Sequence, residues 1–218
     1  MRKLLLAALV GVSLTGPARP DPVIEALFAE GIFDGLPDGQ EIAYSHFRSG
    51  PAVPDFQPVA EGRILLVTGQ AEDGARSLSL AIEEDGRQRE IVDFPASGGN
   101  PVLMVFLEST VRSMAAISGG SPFYIRNRIK DALRQGGDLA EVTQDFAGRT
   151  VVAQQVTLRP FETDPNRERM GEFAGLSLRF VVSDTVPGHF LSLSAGTPDV
   201  ASGYHESITM TQPGEGGQ

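Results

Sequence analysis

The chain has 218 residues, 41% of them apolar and 21% charged, which supports a sizeable core and argues against wholesale disorder. Eighteen Lys and Arg against 28 Asp and Glu leave a formal charge of −10, so the cationic surplus of a general nucleic-acid binder is missing. With no Cys, disulfide scaffolds, thiol catalysis and thiolate-held metals are excluded, and three His with no Trp leave little for His-rich metal sites or aromatic cages.

Residues 1–18, MRKLLLAALVGVSLTGPA, read as a secretory signal peptide. Arg2 and Lys3 supply the positive start, Leu4 to Leu14 an apolar stretch of 11 residues, and Gly16 and Ala18 the small residues of a cleavage site. Spanning a bilayer takes about 20 apolar residues, so this run is too short to anchor, and no later apolar run approaches that length. The expectation is a periplasmic or secreted protein, soluble after processing, with one domain over 19–211 and a disordered tail at 212–218.

After a short helix expected from Val23 to Ala29, Leu36-Pro37-Asp38-Gly39 marks a turn into a strand from Glu41 to Arg48. In that strand Ile42, Tyr44 and His46 share one face. Ser49 to Gly62 holds Pro51, Pro54 and Pro58 with no periodic pattern, and reads as a long loop of the kind that covers sites. Strands follow over Arg63–Thr68, Arg76–Glu83 and Arg87–Phe94. A three-residue loop Glu84-Asp85-Gly86, with Gly86 left-handed in a bulge, is expected, because a two-residue loop would set Leu78 opposite Asp93.

The period then changes to 3.6. Asn100-Pro101 starts a helix to about Ile117, ended by Ser118-Gly119-Gly120, and Ser121-Pro122 starts a second to about Gln135. The first is apolar over most of its circumference and should be enclosed by other elements. Strand patterns return over Glu141–Phe146, Thr150–Leu158, Phe173–Ser183, His189–Ala195 and Tyr204–Thr211. Eight or nine strands joined by short turns indicate antiparallel pairing. The expected fold is α+β: a large curved antiparallel sheet, a half-barrel, wrapped around the mid-chain helix pair. A β-sandwich with the helix pair plugging one end is the alternative.

An opening helix and a mid-chain helix pair between antiparallel strands, with boundaries at Asn100-Pro101 and Ser118-Gly119-Gly120-Ser121-Pro122, resemble the periplasmic lipoprotein-carrier (LolA/LolB-like) superfamily. The resemblance is one of element order over residues 23–211, without a diagnostic motif. It implies a space between sheet and helices that holds acyl chains.

Chemistry-bearing motifs are absent: no Gly-x-Ser-x-Gly elbow, no His-x-His or His-Glu-x-x-His, no calcium loop and no phosphate-binding glycine loop. No catalytic residue, metal site or cofactor is therefore assigned. His46, His189 and His205 are expected at the surface or rim, His205 pointing outward, and a hydrolase near His46 or His189 is kept as an alternative. The principal reading is a non-catalytic envelope protein holding an apolar or lipid-like ligand against Met104, Phe106, Leu107, Met114 and Tyr44. The remaining alternative is an interaction module with a solid core. Its docking surface would be the cationic stripe Arg126, Lys130 and Arg134, offered to an anionic envelope component or a lipid headgroup.

Overall fold

The computed structural model describes residues 21–199 and 202–211 and, for residues 89–92, the backbone. The expected signal peptide at 1–18 and tail at 212–218 lie outside the described residues. The elements in chain order are α1 (Pro22–Leu27), β1 (Glu41–Ser49), β2 (Val59–Gln70), β3 (Arg76–Glu84), β4 (Arg87–Pro95), α2 (Pro101–Ser118), α3 (Pro122–Gln135), β5 (Asp138–Phe146), β6 (Arg149–Leu158), β7 (Ser177–Val182), β8 (Phe190–Gly196) and β9 (His205–Met210).

The nine strands form one antiparallel sheet in the order β4-β3-β2-β1-β9-β8-β7-β6-β5. The last strand inserts between the first and the eighth, so the two strand groups on either side of the helix pair become one surface. The sheet is not closed: β4 and β5 are its edges. This is the expected α+β half-barrel, and the sandwich alternative falls because no second sheet exists among the described residues.

Local chemistry explains the helix boundaries. The Asn100 carboxamide oxygen accepts from Val102 N at 3.0 Å, Pro101 takes the first helical position, and Gly119 ends α2 in the left-handed region at φ 67°. Asn100 also donates from Nδ2 to the Gly188 carbonyl at 2.7 Å and to the Tyr44 hydroxyl at 3.2 Å. The cap therefore pins the start of α2 to β1 and to the β7–β8 turn.

The buried side of α2 carries Val102, Leu103, Phe106, Val111 and Met114, and Phe106 meets Phe180 edge-to-face with centroids 5.7 Å apart. The expected complete enclosure of α2 is corrected here. Met104 is 68% exposed, Val105 and Leu107 are half-buried, and Arg112 is exposed. One flank of the helix faces an opening in the half-barrel. At 18 residues α2 also reaches the length and apolar content of a membrane-crossing helix, which the expectation of no later spanning run had denied. Its buried flank packs into the core.

Three local expectations change. The β3–β4 loop has two residues, not three: Glu84 pairs with Arg87, and Asp85 (φ 48°) and Gly86 (φ 76°) both lie in the left-handed region, as a type I′ turn requires. The conflict at Asp93 is removed by a bulge further along. Ile82 pairs with Arg89, but between Leu78 and Leu80 the register shifts and Leu78 meets Phe94. The loop after β1 is shorter than expected, because β2 begins at Val59. Residues 171–175 form a 3-10 turn, so β7 starts at Ser177 instead of Phe173.

Candidate functional site

Strand alternation assembles a buried polar cluster on the concave face. β1 turns Ile42, Tyr44, His46 and Arg48 inward, and Glu206 of the neighbouring β9 lies on the same side, directly across from Arg48 in register. Glu206 has no exposed surface, and three groups satisfy it. Its Oε1 accepts from Ser109 Oγ of α2 at 2.5 Å and lies 2.9 Å from His46 Nε2, while its Oε2 accepts a short hydrogen bond from the Tyr204 hydroxyl. Burial first, then the charge and the hydrogen bond of Glu206, push the Tyr204 phenol well above its ordinary range.

Arg48 completes the cluster. It donates from Nε to the Gln57 carbonyl at 2.7 Å and from Nη1 to Ser109 Oγ at 2.7 Å, and Nη1 lies 3.8 Å from Glu206. A bulge makes this possible: His46 pairs with Gly62 but Arg48 with Val59, so β2 carries an extra residue there. The Asp85 carboxylate holds the bulge by accepting from Ala60 N at 3.2 Å and Glu61 N at 3.1 Å.

The cluster opens into a cleft of about 540 Å³ beside the exposed flank of α2. Ile82 and Phe94 of the sheet and Pro101, Met104 and Val105 of α2 supply apolar lining. His46, Arg48, Glu84, Glu108, Ser109 and Arg112 supply the polar end. The loop after β1 folds over it, with Asp55, Phe56 and Gln57 in the lining and the Phe56 ring edge-on to Tyr204 at 6.3 Å. Partial burial raises the Glu108 carboxyl, but hydrogen bonds and charge from Arg126 and Arg112 outweigh it and hold the group below the usual carboxylate range.

The expected lining residues separate. Met104 lines this cleft; Met114 lines a second one of about 400 Å³ with Ser118, Tyr124, Ile125 and Met170. Phe106 and Tyr44 are fully buried, and Leu107 packs partly exposed against the core. The cationic stripe is largely spent within the chain. Arg126 makes two hydrogen bonds to Glu108 at 2.9 and 3.1 Å, and Arg134 pairs with Asp131 at 3.1 Å. Lys130 is exposed.

Two histidines correct the rim expectation. His46 is 3% exposed and His189 5%, the latter held by the Ala26 carbonyl at 2.8 Å and Asp184 at 3.1 Å, away from the cleft lining. His205 points outward as expected. The polar cluster can bind and orient: Ser109 donates to the Glu206 carboxylate, which also lies 2.9 Å from His46 Nε2. Among the described residues no group of three acidic or His side chains is placed to hold a metal.

Glu206, Arg48 and Ser109 escaped the sequence reading. Glu206 had a signal, since it shares the strand face of Tyr204, Ile208 and Met210.

No family model matches the chain, and no curated protein matches it. Solved structures give distant likenesses. The lipoprotein LppX of Mycobacterium tuberculosis has 7% identity over 78% of this chain and 84% of its own, with a TM-score of 0.31. A beta-barrel-like protein of a domain of unknown function from Brucella abortus has 8% identity over 79% of this chain and 95% of its own, with a TM-score of 0.20. The dehydratase domain of the CurK module of curacin polyketide synthase has 9% identity over 82% and 76%, with a TM-score of 0.17. Likenesses this distant carry no argument about function, which has to be argued from this chain's own residues.

Proposed function

We propose that the chain is an exported, non-catalytic binding protein for an amphipathic, lipid-like ligand held in the cleft between α2 and the β3–β4 side of the sheet. The observation that carries the reading is the two-ended character of that cleft. Met104, 68% exposed, faces solvent beside half-buried Val105, Ile82 and Phe94, while the opposite end combines buried His46 and Arg48 with the partly exposed carboxylates of Glu84 and Glu108. A helix that leaves apolar side chains wet at the mouth of a half-barrel gains by covering them, at about 25 cal/mol per Å² removed from water. Phe106 and Tyr44 lie in the buried core, and Leu107 packs partly exposed against it. Export rests on the residues of the first 18 positions.

Native mass spectrometry after gentle purification from an exporting host tests this. The expected result is a lipid-mass adduct that is lost in Met104→Asp and Ile82→Asp and kept in Val152→Asp, whose side chain is 58% exposed on β6. An adduct-free protein that also takes up no added single-chain amphiphile would overturn the reading.

A further inference from the structure

The polar end of the cleft has an unfilled position. His46 Nε2 is taken by Glu206 at 2.9 Å, but His46 Nδ1 is buried in the cleft lining without a hydrogen-bond partner. Arg48 has its Nε and Nη1 occupied, and its Nη2 turns to the same place. Both face one atom, Glu84 Oε1, at 3.5 Å from Nδ1 and 3.6 Å from Nη2. Charge-assisted hydrogen bonds close to about 2.7–2.9 Å, so neither contact is a formed bond.

The register explains why Glu84 is there and why it stops short. His46, Gly62 and Glu84 form one row across β1, β2 and β3. Gly62 has no side chain, and a Cβ there would meet the His46 carbonyl oxygen at 2.8 Å and the His46 Cβ at 3.0 Å. The bare position lets the Glu84 carboxylate reach across β2 toward His46 and Arg48. Its own side chain is 36% exposed, tethered at the end of a strand beside the Asp85-Gly86 turn.

We propose that this is the head-group position of the ligand, and that the head is an anionic oxygen group, carboxylate or phosphate monoester, which displaces Glu84 from His46 Nδ1 and Arg48 Nη2. The inference rests on the amphiphile reading above. With a proton on Nδ1 the imidazole donates there, as the guanidinium does from Nη2, so a freely placed anion can close both distances that tethered Glu84 leaves open. The remaining acids of the cleft leave room for it: Glu108 is engaged by Arg126 and Arg112, and Asp55 is exposed on the covering loop. Glu84 is then an internal competitor that keeps the two donors company while the cleft is empty.

Calorimetric titration of the processed chain with dodecanoate, dodecyl phosphate, dodecanol and dodecylamine, each below its micelle concentration, tests this. At least one anionic compound should bind about tenfold more tightly than dodecanol, a difference of about 1.4 kcal/mol. Whichever anion leads identifies the head as carboxylate or phosphate. Glu84→Gln should tighten the anion by about tenfold and leave dodecanol unchanged, and His46→Gln, checked for folding by circular dichroism, should weaken the anion alone. Equal binding of anion and alcohol, preference for the amine, or an unresponsive Glu84→Gln would overturn the head-group assignment while leaving the amphiphile reading intact. Failure of all four to bind would overturn both.

Discussion

His46 and Glu206 sit 2.9 Å apart on neighbouring strands from opposite ends of the chain, with 3% and 0% of their surfaces exposed. A carboxylate so deep is tolerated only because His46, Ser109, Tyr204 and Arg48 surround it. Removing it strands those donors. Glu206→Leu is expected to cost about 3–5 kcal/mol in urea unfolding and Glu206→Gln about 1–3 kcal/mol, because an amide keeps part of the bonding. A loss below about 1 kcal/mol for the leucine variant would show that the cluster does not hold β1, β9 and α2 together.

The Asn100 side chain caps α2 and ties it to Tyr44 and Gly188 at once. Asn100→Ala should lose the cap, about 1 kcal/mol, and further stability through the two stranded partners. Asn100→Ser restores the cap without the ties. The gap between the two variants in denaturant titrations measures the cap alone, and the serine variant should remain clearly below the native chain.

Burial pushes the Tyr44 phenol far above its ordinary range, against a smaller opposing effect of the Asn100 hydrogen bond. The folded-state value is raised, so the stability contribution is complete below the unfolded value of about 10 and is lost as pH rises beyond it. Tyr204 is raised in the same direction, by burial first and then by Glu206. The chain should therefore unfold steeply above about pH 10, and Tyr44→Phe should flatten that decline while costing about 1 kcal/mol near neutrality. Melting temperatures taken across this range decide it; equal alkaline slopes for the two proteins would contradict the assignment.

Gly62 faces His46 across the β1–β2 pair with no space for a methyl group. Gly62→Ala is expected to destabilise by about 1–3 kcal/mol and to disturb the bulge that turns Arg48 inward. Crosspeak changes in an NMR spectrum should centre on residues 46–48 and 59–62. A spectrum altered elsewhere, or not at all, would contradict the close approach.

Much of the fold was legible because period-2 and period-3.6 patterns separate cleanly along this chain. The Asn100-Pro101 and Ser121-Pro122 starts of α2 and α3 were read where they occur. The β3–β4 register was not: the two-residue turn looked wrong because it set Leu78 against Asp93, and only a later bulge, invisible to a uniform ladder, moves Leu78 to Phe94. The site was the least legible part. Met104 was singled out for its apolar character, yet it borders the cleft because that flank of α2 is left uncovered. Arg48, Ser109 and Glu206 come from three elements and meet through the pairing of β1 with β9, a contact across 160 residues that no local pattern announces. The cationic stripe on α3 was visible, but the pairing of Arg126 with Glu108 of α2 depends on helix packing.

The chain contains no Trp, so one introduced at the cleft reports alone. The central test is the fluorescence of Met104→Trp on titration with dodecanoate, with Val152→Trp on the outer face as reference. A ligand seated against α2 predicts a saturable blue shift for the Met104→Trp variant and none for the other. No shift in either, or the same shift in both, would contradict a binding site beside α2.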